Sequence, residues 1–228
     1  MQLSLQNICK RFGAKQVLDE VSLTATSGRA CGLLGKTTAI RILLNVFPSD
    51  SGQVLLDGAP IDYAKVKFGY LPEERGLYPK KQIFDQLAYF ARLKGMSKRE
   101  AAVAVDKWLD RLGMSDYRDK RLETLSKGNQ QKIQLITALC HDPDIVVLDE
   151  PFSGLDPVNA LLLKDVVSEV INEGKIVLFS SHQMNYIEEF CDDIAVLNNG
   201  KIVLSGDLRD IKRSYPRNKL VVRSGESQ

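Results

Sequence analysis

Apolar and polar positions alternate with a period of two at the start of the chain. Leu3 and Leu5, then Val21, Leu23 and Ala25, are each set off by polar neighbours, the pattern of half-buried strands. The compact run Ala30-Cys31-Gly32-Leu33-Leu34 reads instead as a strand buried on both faces. Ile40, Leu43, Leu44 and Phe47 follow at helical spacing. Asp50-Ser51-Gly52 and Asp57-Gly58 then punctuate a short strand or hairpin holding Val54 and Leu55. From Phe84 to about Ala138 the pattern turns helical. Val105, Trp108, Leu109 and Leu112 make one apolar stripe, with Trp108 read as core packing and Gly113 placed to end the helix. Strands and helices alternate again afterwards. Ile145–Leu148 and Ile176–Phe179 are buried strands, and between them Asp156 caps a helix with Pro157 first and Gly174 at its end. Asn199-Gly200 joins Ile194–Leu197 to Ile202–Leu204 as a hairpin.

This order predicts a mainly parallel α/β core interrupted by a helical insertion at about residues 84–138. Residues 1–215 form one domain in this reading. The tail, 216–228, begins strand-like at Leu220-Val221-Val222 and is expected to open a further small domain.

Bulk properties narrow the function only slightly. A chain of 228 residues can bury one good core, and a net charge of +2 without a basic stripe gives no support to nucleic-acid binding. Apolar runs are too short to cross a bilayer, so any work at a membrane needs a spanning partner. No signal peptide is expected, because Lys10 and Arg11 precede any sustained apolar stretch. Four cysteines without a C-x-x-C pair are expected to be reduced and mostly buried, which favours the cytoplasm.

The chemistry concentrates between Leu125 and His182. Leu125-Ser126-Lys127-Gly128-Asn129-Gln130-Gln131 opens a helix capped by Ser126, and a helix N-terminus with a hydroxyl suits an anion such as phosphate. An apolar strand ends in Asp149-Glu150-Pro151. The first carboxylate is placed to hold Mg²⁺ and the second to orient or deprotonate a water. Ser153-Gly154-Leu155-Asp156 and Ser181-His182 complete the set. Each piece alone is common: helices are often capped, strands often end in acids, and a loop histidine is often merely satisfied.

Together, in this order and spacing, the four segments resemble the ABC transporter ATPases, where they are the signature motif, Walker B strand, D-loop and H-loop. The resemblance covers nearly the whole chain. It implies a P-loop NTPase-type core of mainly parallel sheet with an antiparallel β subdomain and a helical insertion, using ATP and Mg²⁺. It further implies that Asp149 holds Mg²⁺ through water, Glu150 is the general base and His182 contacts the γ-phosphate. Gly35, Lys36, Thr37, Thr38 and Gln131 would join the ATP site, with Thr37 and Glu73 also toward the metal. Ser126 and Gly128 would close over nucleotide bound by a second copy, and Asp156 would link the two sites. Phe12 would stack on adenine, with an ordinary edge-strand aromatic as the other reading. The expected partners are a second ATPase subunit and integral membrane permease subunits. The protein would then sit peripherally on the inner face of the cell membrane.

Two departures stand out. Glu73 occupies a position where the family usually has Gln, in the segment Gly69–Tyr78, whose wording resembles bacterial exporters of drugs, antibiotics or sodium. A phosphate loop also needs G-x-x-x-x-G-K-[ST], so that successive amides wrap the phosphates. This chain reads Gly32-Leu33-Leu34-Gly35-Lys36-Thr37-Thr38, about five residues short between Gly35 and Lys36. Three explanations stand: a segment of the protein is absent from this sequence; a natural or engineered deletion has left a non-catalytic module; or the resemblance misleads. Intact Lys36, Thr37, Glu150 and His182 favour the first.

Overall fold

A computed structural model describes residues 1–35, 37–74, 76–153 and 155–215. The expected strand-like tail at 216–228 lies outside them. The chain opens with two long antiparallel strands, β1 (Gln2–Phe12) and β2 (Lys15–Thr26). The buried strand β3 (Ala30–Leu34) and helix α1 (Thr37–Leu43) follow. Leu44 and Phe47 lie beyond the end of α1, so the helical spacing overran the helix by a turn. β4 (Ser51–Leu56) and β5 (Ala59–Pro60) form the short hairpin. Ser51 and Gly52 belong to β4 rather than interrupting it, because β4 pairs with β1 as far as Cys9↔Ser51.

β6 (Phe68–Leu71) leads into the helices α2 (Ile83–Leu93), α3 (Lys98–Arg111) and α4 (Lys127–Leu139). α3 starts with a reciprocal cap: Ser97 accepts from the Glu100 amide while the Glu100 carboxylate accepts from the Ser97 amide. β7 (Ile145–Asp149), α5 (Pro157–Asn172), β8 (Ile176–Ser180) and α6 (Met184–Phe190) restore the α/β alternation. The hairpin β9 (Asp193–Asn198) and β10 (Lys201–Asp207) and the helix α7 (Leu208–Ser214) close the described chain.

Two sheets result. One is antiparallel, in the order β2-β1-β4-β5, and the other has six strands in the order β10-β9-β3-β8-β7-β6. Within the second, β9, β3, β8, β7 and β6 pair in parallel, and β10 is antiparallel at the edge. The larger sheet is buried on both faces, and β7 shows why its residues are uniformly apolar. Ile145 and Val147 pack with Leu5, Val21 and Ile40 in the core toward the antiparallel sheet. Val146 and Leu148 point the other way, into the core with Ile83, Val105, Ile133 and Phe179. Every residue of β7 is buried, Asp149 included. A carboxylate is thereby carried to the end of the most protected strand.

Cys31, Cys140 and Cys191 are buried and Cys9 is partly so, all of them free thiols. Burial pushes the Cys31 and Cys140 thiols up to about 12, which leaves them protonated and unreactive at neutral pH.

Candidate functional site

Parallel pairing places the C-terminal ends of β3, β7 and β8 side by side, the edge at which α/β sheets bind ligands. β7 ends in Asp149-Glu150, and Ser181-His182 follow β8. Glu150 turns off the strand with a left-handed backbone, φ 48°, and its amide donates to the Ser180 carbonyl at 2.9 Å. Such a conformation costs about 1–3 kcal/mol for a residue with a Cβ, and the surrounding bonds hold it there. The turn aims the carboxylate at the chain after β8. The Ser181 hydroxyl donates to Oε2 at 3.0 Å, and the His182 amide donates to Oε1 at 2.6 Å. His182 Nδ1 also lies 2.6 Å from Oε1, so Nδ1 is the nitrogen that carries the proton toward the carboxylate. Glu150 is only 8 % exposed, whereas the His182 side chain is 74 % exposed, leaving the far edge of its ring open. An acid is thus held at the floor of the site and an exposed imidazole at its mouth.

Asp149 is buried beside it. Desolvation pushes its carboxyl up; a Ser180 hydrogen bond opposes this, the charges of Glu73 and Glu150 add to it, and Arg41 opposes it. Burial raises the Tyr70 phenol, and the nearby charge of Asp149 adds to the rise. A buried carboxylate crowded by two others suits a divalent cation, whose charge offsets all three. Among the described residues no three of His, Cys, Asp and Glu converge on one metal point. A cation at Asp149 would therefore have at most one further carboxylate among the described residues, and would take its remaining ligands from hydroxyl, water or phosphate oxygens, which suits Mg²⁺.

α4 ties the remaining segments together. Ser126 caps it by accepting from the Asn129 amide at 3.3 Å, and Asp156 caps α5 by accepting from Val158 and Asn159 amides. Asn159 also donates from its side chain to Asp156. Gly128 is buried against this second cap. A Cβ there would come within 2.8 Å of Asn159 Nδ2, so the absence of a side chain lets the two helix starts touch. Gln131 donates to the Pro151 carbonyl at 3.2 Å, joining α4 to the turn after Glu150. Gln134 donates to the carbonyls of Pro72 and Glu74, at 3.0 and 3.1 Å, and so grips the backbone on both sides of Glu73. Gln134 was not singled out from sequence; a buried polar residue inside the apolar run Ile133–Leu139 was its signal. In the sequence Ser181 is marked only by its place beside His182.

Phe12 is 51 % exposed at the end of β1, with its ring edge on Phe47 at 5.6 Å. The Lys10 ammonium stands over the ring, 5.8 Å from its centroid. Thr38 lies in the first turn of α1. Lys36 and the side chain of Thr37 lie outside the described residues. What the sequence settles is length: β3 ends at Leu34 and α1 begins at Thr37, so only Gly35 and Lys36 connect them. Gly35 has φ 122° and is pressed against β9, where a Cβ would meet the Leu197 carbonyl at 2.2 Å. Two linking residues cannot supply the run of successive amides that wraps a triphosphate.

A parallel-sheet fold with a buried acid pair at its C-terminal edge, a facing histidine and two abutting helix caps defines a nucleotide-hydrolase type of site. The profile of the family described as ABC transporter matches residues 18–153. The uncharacterized ABC transporter ATP-binding protein YhaQ of Bacillus subtilis is 46% identical over 230 residues, covering 98% of this chain and 77% of that protein. The Nod factor export ATP-binding protein I of Burkholderia lata is 32% identical over 213 residues, covering 90% and 70%. A solved ATP-binding subunit of an ABC transporter superposes with a TM-score of 0.84 at 26% identity, covering 93% of this chain and 92% of that one. The chain belongs to the ABC transporter ATP-binding family, whose members are ATPases that power transport. The resemblance therefore does not mislead. The alignment with YhaQ is longer than the 228-residue chain, so YhaQ carries residues that this chain lacks.

Proposed function

We propose that this chain is the ATP-hydrolysing subunit of a membrane exporter and works as a dimer that closes on ATP. The observation that carries the proposal is the clamped acid at the end of β7. Glu150 is held by three donors from one neighbouring loop, one of them an imidazole whose other edge is open to solvent. Glu150 accepts the proton of the attacking water, and His182 turns from Oε1 toward the γ-phosphate when nucleotide arrives. Asp149, Glu73 and the Thr37 hydroxyl hold Mg²⁺, which supplies charge neutralisation on the phosphates. Phe12 stacks on adenine, and Gly35, Lys36, Thr37 and Thr38 bind the phosphates. Ser126 and Gly128 present the start of α4 to nucleotide on the opposite subunit, and Asp156 relays between the two sites through Asn159. The surface from Glu73 to Lys81 passes the motion to permease subunits.

Export as the direction draws support from the wording of the Gly69–Tyr78 segment and from the printed name of the Nod factor relative. No described helix is long and apolar enough to cross a membrane, which fits a peripheral subunit on the cytoplasmic face.

One observation favours a second reading. The two-residue link between β3 and α1 suits a non-catalytic nucleotide-binding or regulatory module of the same family. Steady-state ATPase measurements on the chain and on Glu150→Gln separate the two. Turnover that depends on Glu150 supports the first reading, and no turnover at millimolar ATP supports the second.

A further inference from the structure

We propose that Ser181 is the positioning residue for the Glu150 carboxylate. The proposal rests on reading Glu150 as the base. The two oxygens of that carboxylate are held differently. Oε1 takes both bonds from His182, whose ring is three-quarters exposed and free to turn away. Among the described residues Oε2 has one partner, the Ser181 hydroxyl at 3.0 Å.

Ser181 is itself fixed. It is 4 % exposed, and its Oγ accepts from the Gln183 amide at 3.1 Å. One of its two lone pairs is engaged there, and its single proton is donated to Oε2. α6 begins directly after this bond, and its own position is set by stacking. Tyr186 and Phe190 lie on the buried Phe152 ring with centroids 4.5 and 4.7 Å apart. Phe152 stands two residues beyond Glu150, so the stack ties α6 to the segment that follows the acid.

The terminal torsion of a glutamate is broad and close to two-fold. Once the His182 ring leaves, Oε1 retains only the amide, and the Ser181 bond fixes the plane of the carboxylate. Ser181 therefore acts through Glu150 and keeps its lone pairs aimed while His182 is elsewhere. The hydroxyl does not take part in proton transfer.

The test compares the whole chain with Ser181→Ala and Ser181→Thr, with thermal melts to confirm folding. Removing a hydrogen bond to a charged group should lower kcat about 10-fold to 100-fold while KM for ATP stays within about twofold. Ser181→Thr keeps the hydroxyl and should recover kcat to within about threefold of the native rate. The proposal is overturned if Ser181→Ala leaves kcat within about twofold, or if Ser181→Thr falls as far as Ser181→Ala. A second readout does not need turnover. The chain has two histidines, and His141 bonds the Phe68 carbonyl through Nε2, so an NMR signal from a hydrogen-bonded Nδ1 proton belongs to His182. That signal should shift in Ser181→Ala and stay in Ser181→Thr. If the native chain shows no turnover, the reading of Glu150 as base fails, and an unshifted signal in Ser181→Ala then overturns the positioning as well.

Discussion

Lengthening the β3–α1 connection should strengthen nucleotide binding by at least two orders of magnitude. The perturbation is a five-residue insertion between Gly35 and Lys36, ending in glycine, that restores G-x-x-x-x-G-K-T. In the native chain only Gly35 and Lys36 join Leu34 to Thr37, and Gly35 is already committed to its contact with the Leu197 carbonyl. The insertion adds five amides. A hydrogen bond to a charged acceptor contributes about 1.5–3 kcal/mol, while ordering a residue costs about 1–2 kcal/mol, so most of the added bonds offset their own ordering. Two surplus bonds at the lower value give about 3 kcal/mol, or about 10²-fold in Kd. Calorimetric titration with a non-hydrolysable ATP analogue and Mg²⁺ reads the change. The same five residues placed in the Asp57-Gly58 turn, where Gly58 faces open space, serve as the control and should leave Kd unchanged. A Kd that stays within about threefold in the Gly35–Lys36 insertion would refute the argument that loop length limits this site.

Other consequences follow from buried contacts away from the loop. Phe152→Ala removes a ring that is 3 % exposed and stacked on α6, and should cost about 3–5 kcal/mol in urea unfolding. Gln134→Leu deletes both bonds to the Pro72 and Glu74 carbonyls; hydrogen exchange should rise in the segment after Leu71 while the β7 amides stay protected. His141 is 2 % exposed with Nδ1 unpartnered, and burial followed by the charges of Lys94 and Lys67 lowers its pKa, with the Phe68 carbonyl opposing. A base with a depressed folded pKa contributes full stability above its unfolded value, about 6.5, and loses it as pH falls toward the folded value. Unfolding free energy should therefore drop between pH 7 and pH 5 more steeply in the native chain than in His141→Gln.

The alternating α/β order was legible because its signals are local. Burial on both faces wrote continuous apolar runs at β3, β7 and β8, and Asp156-Pro157 and Asn199-Gly200 carry their turn chemistry in two residues. The helix α1 was overextended because Phe47 keeps helical spacing while packing against Phe12 from outside the helix. In the site, the residues Asp149, Glu150 and His182 could be picked out by order and spacing. Their geometry could not, because it depends on pairing between strands distant in sequence. Asp149↔Ser180 places β7 beside β8, and the left-handed turn at Glu150 then delivers the carboxylate to Ser181. Gln134 was hidden for the same reason: its partners lie some sixty residues earlier, across the gap between α4 and the chain after β6.

The proposed mechanism stands on Glu150 as the base of an ATPase. Its most direct test is the steady-state rate of phosphate release at saturating MgATP, measured in parallel on the native chain and on Glu150→Gln. Turnover is expected in the native chain, with a loss of about 10²-fold or more in the variant and ATP affinity retained. Equal rates in the two proteins would contradict it, and so would an absence of turnover in the native chain.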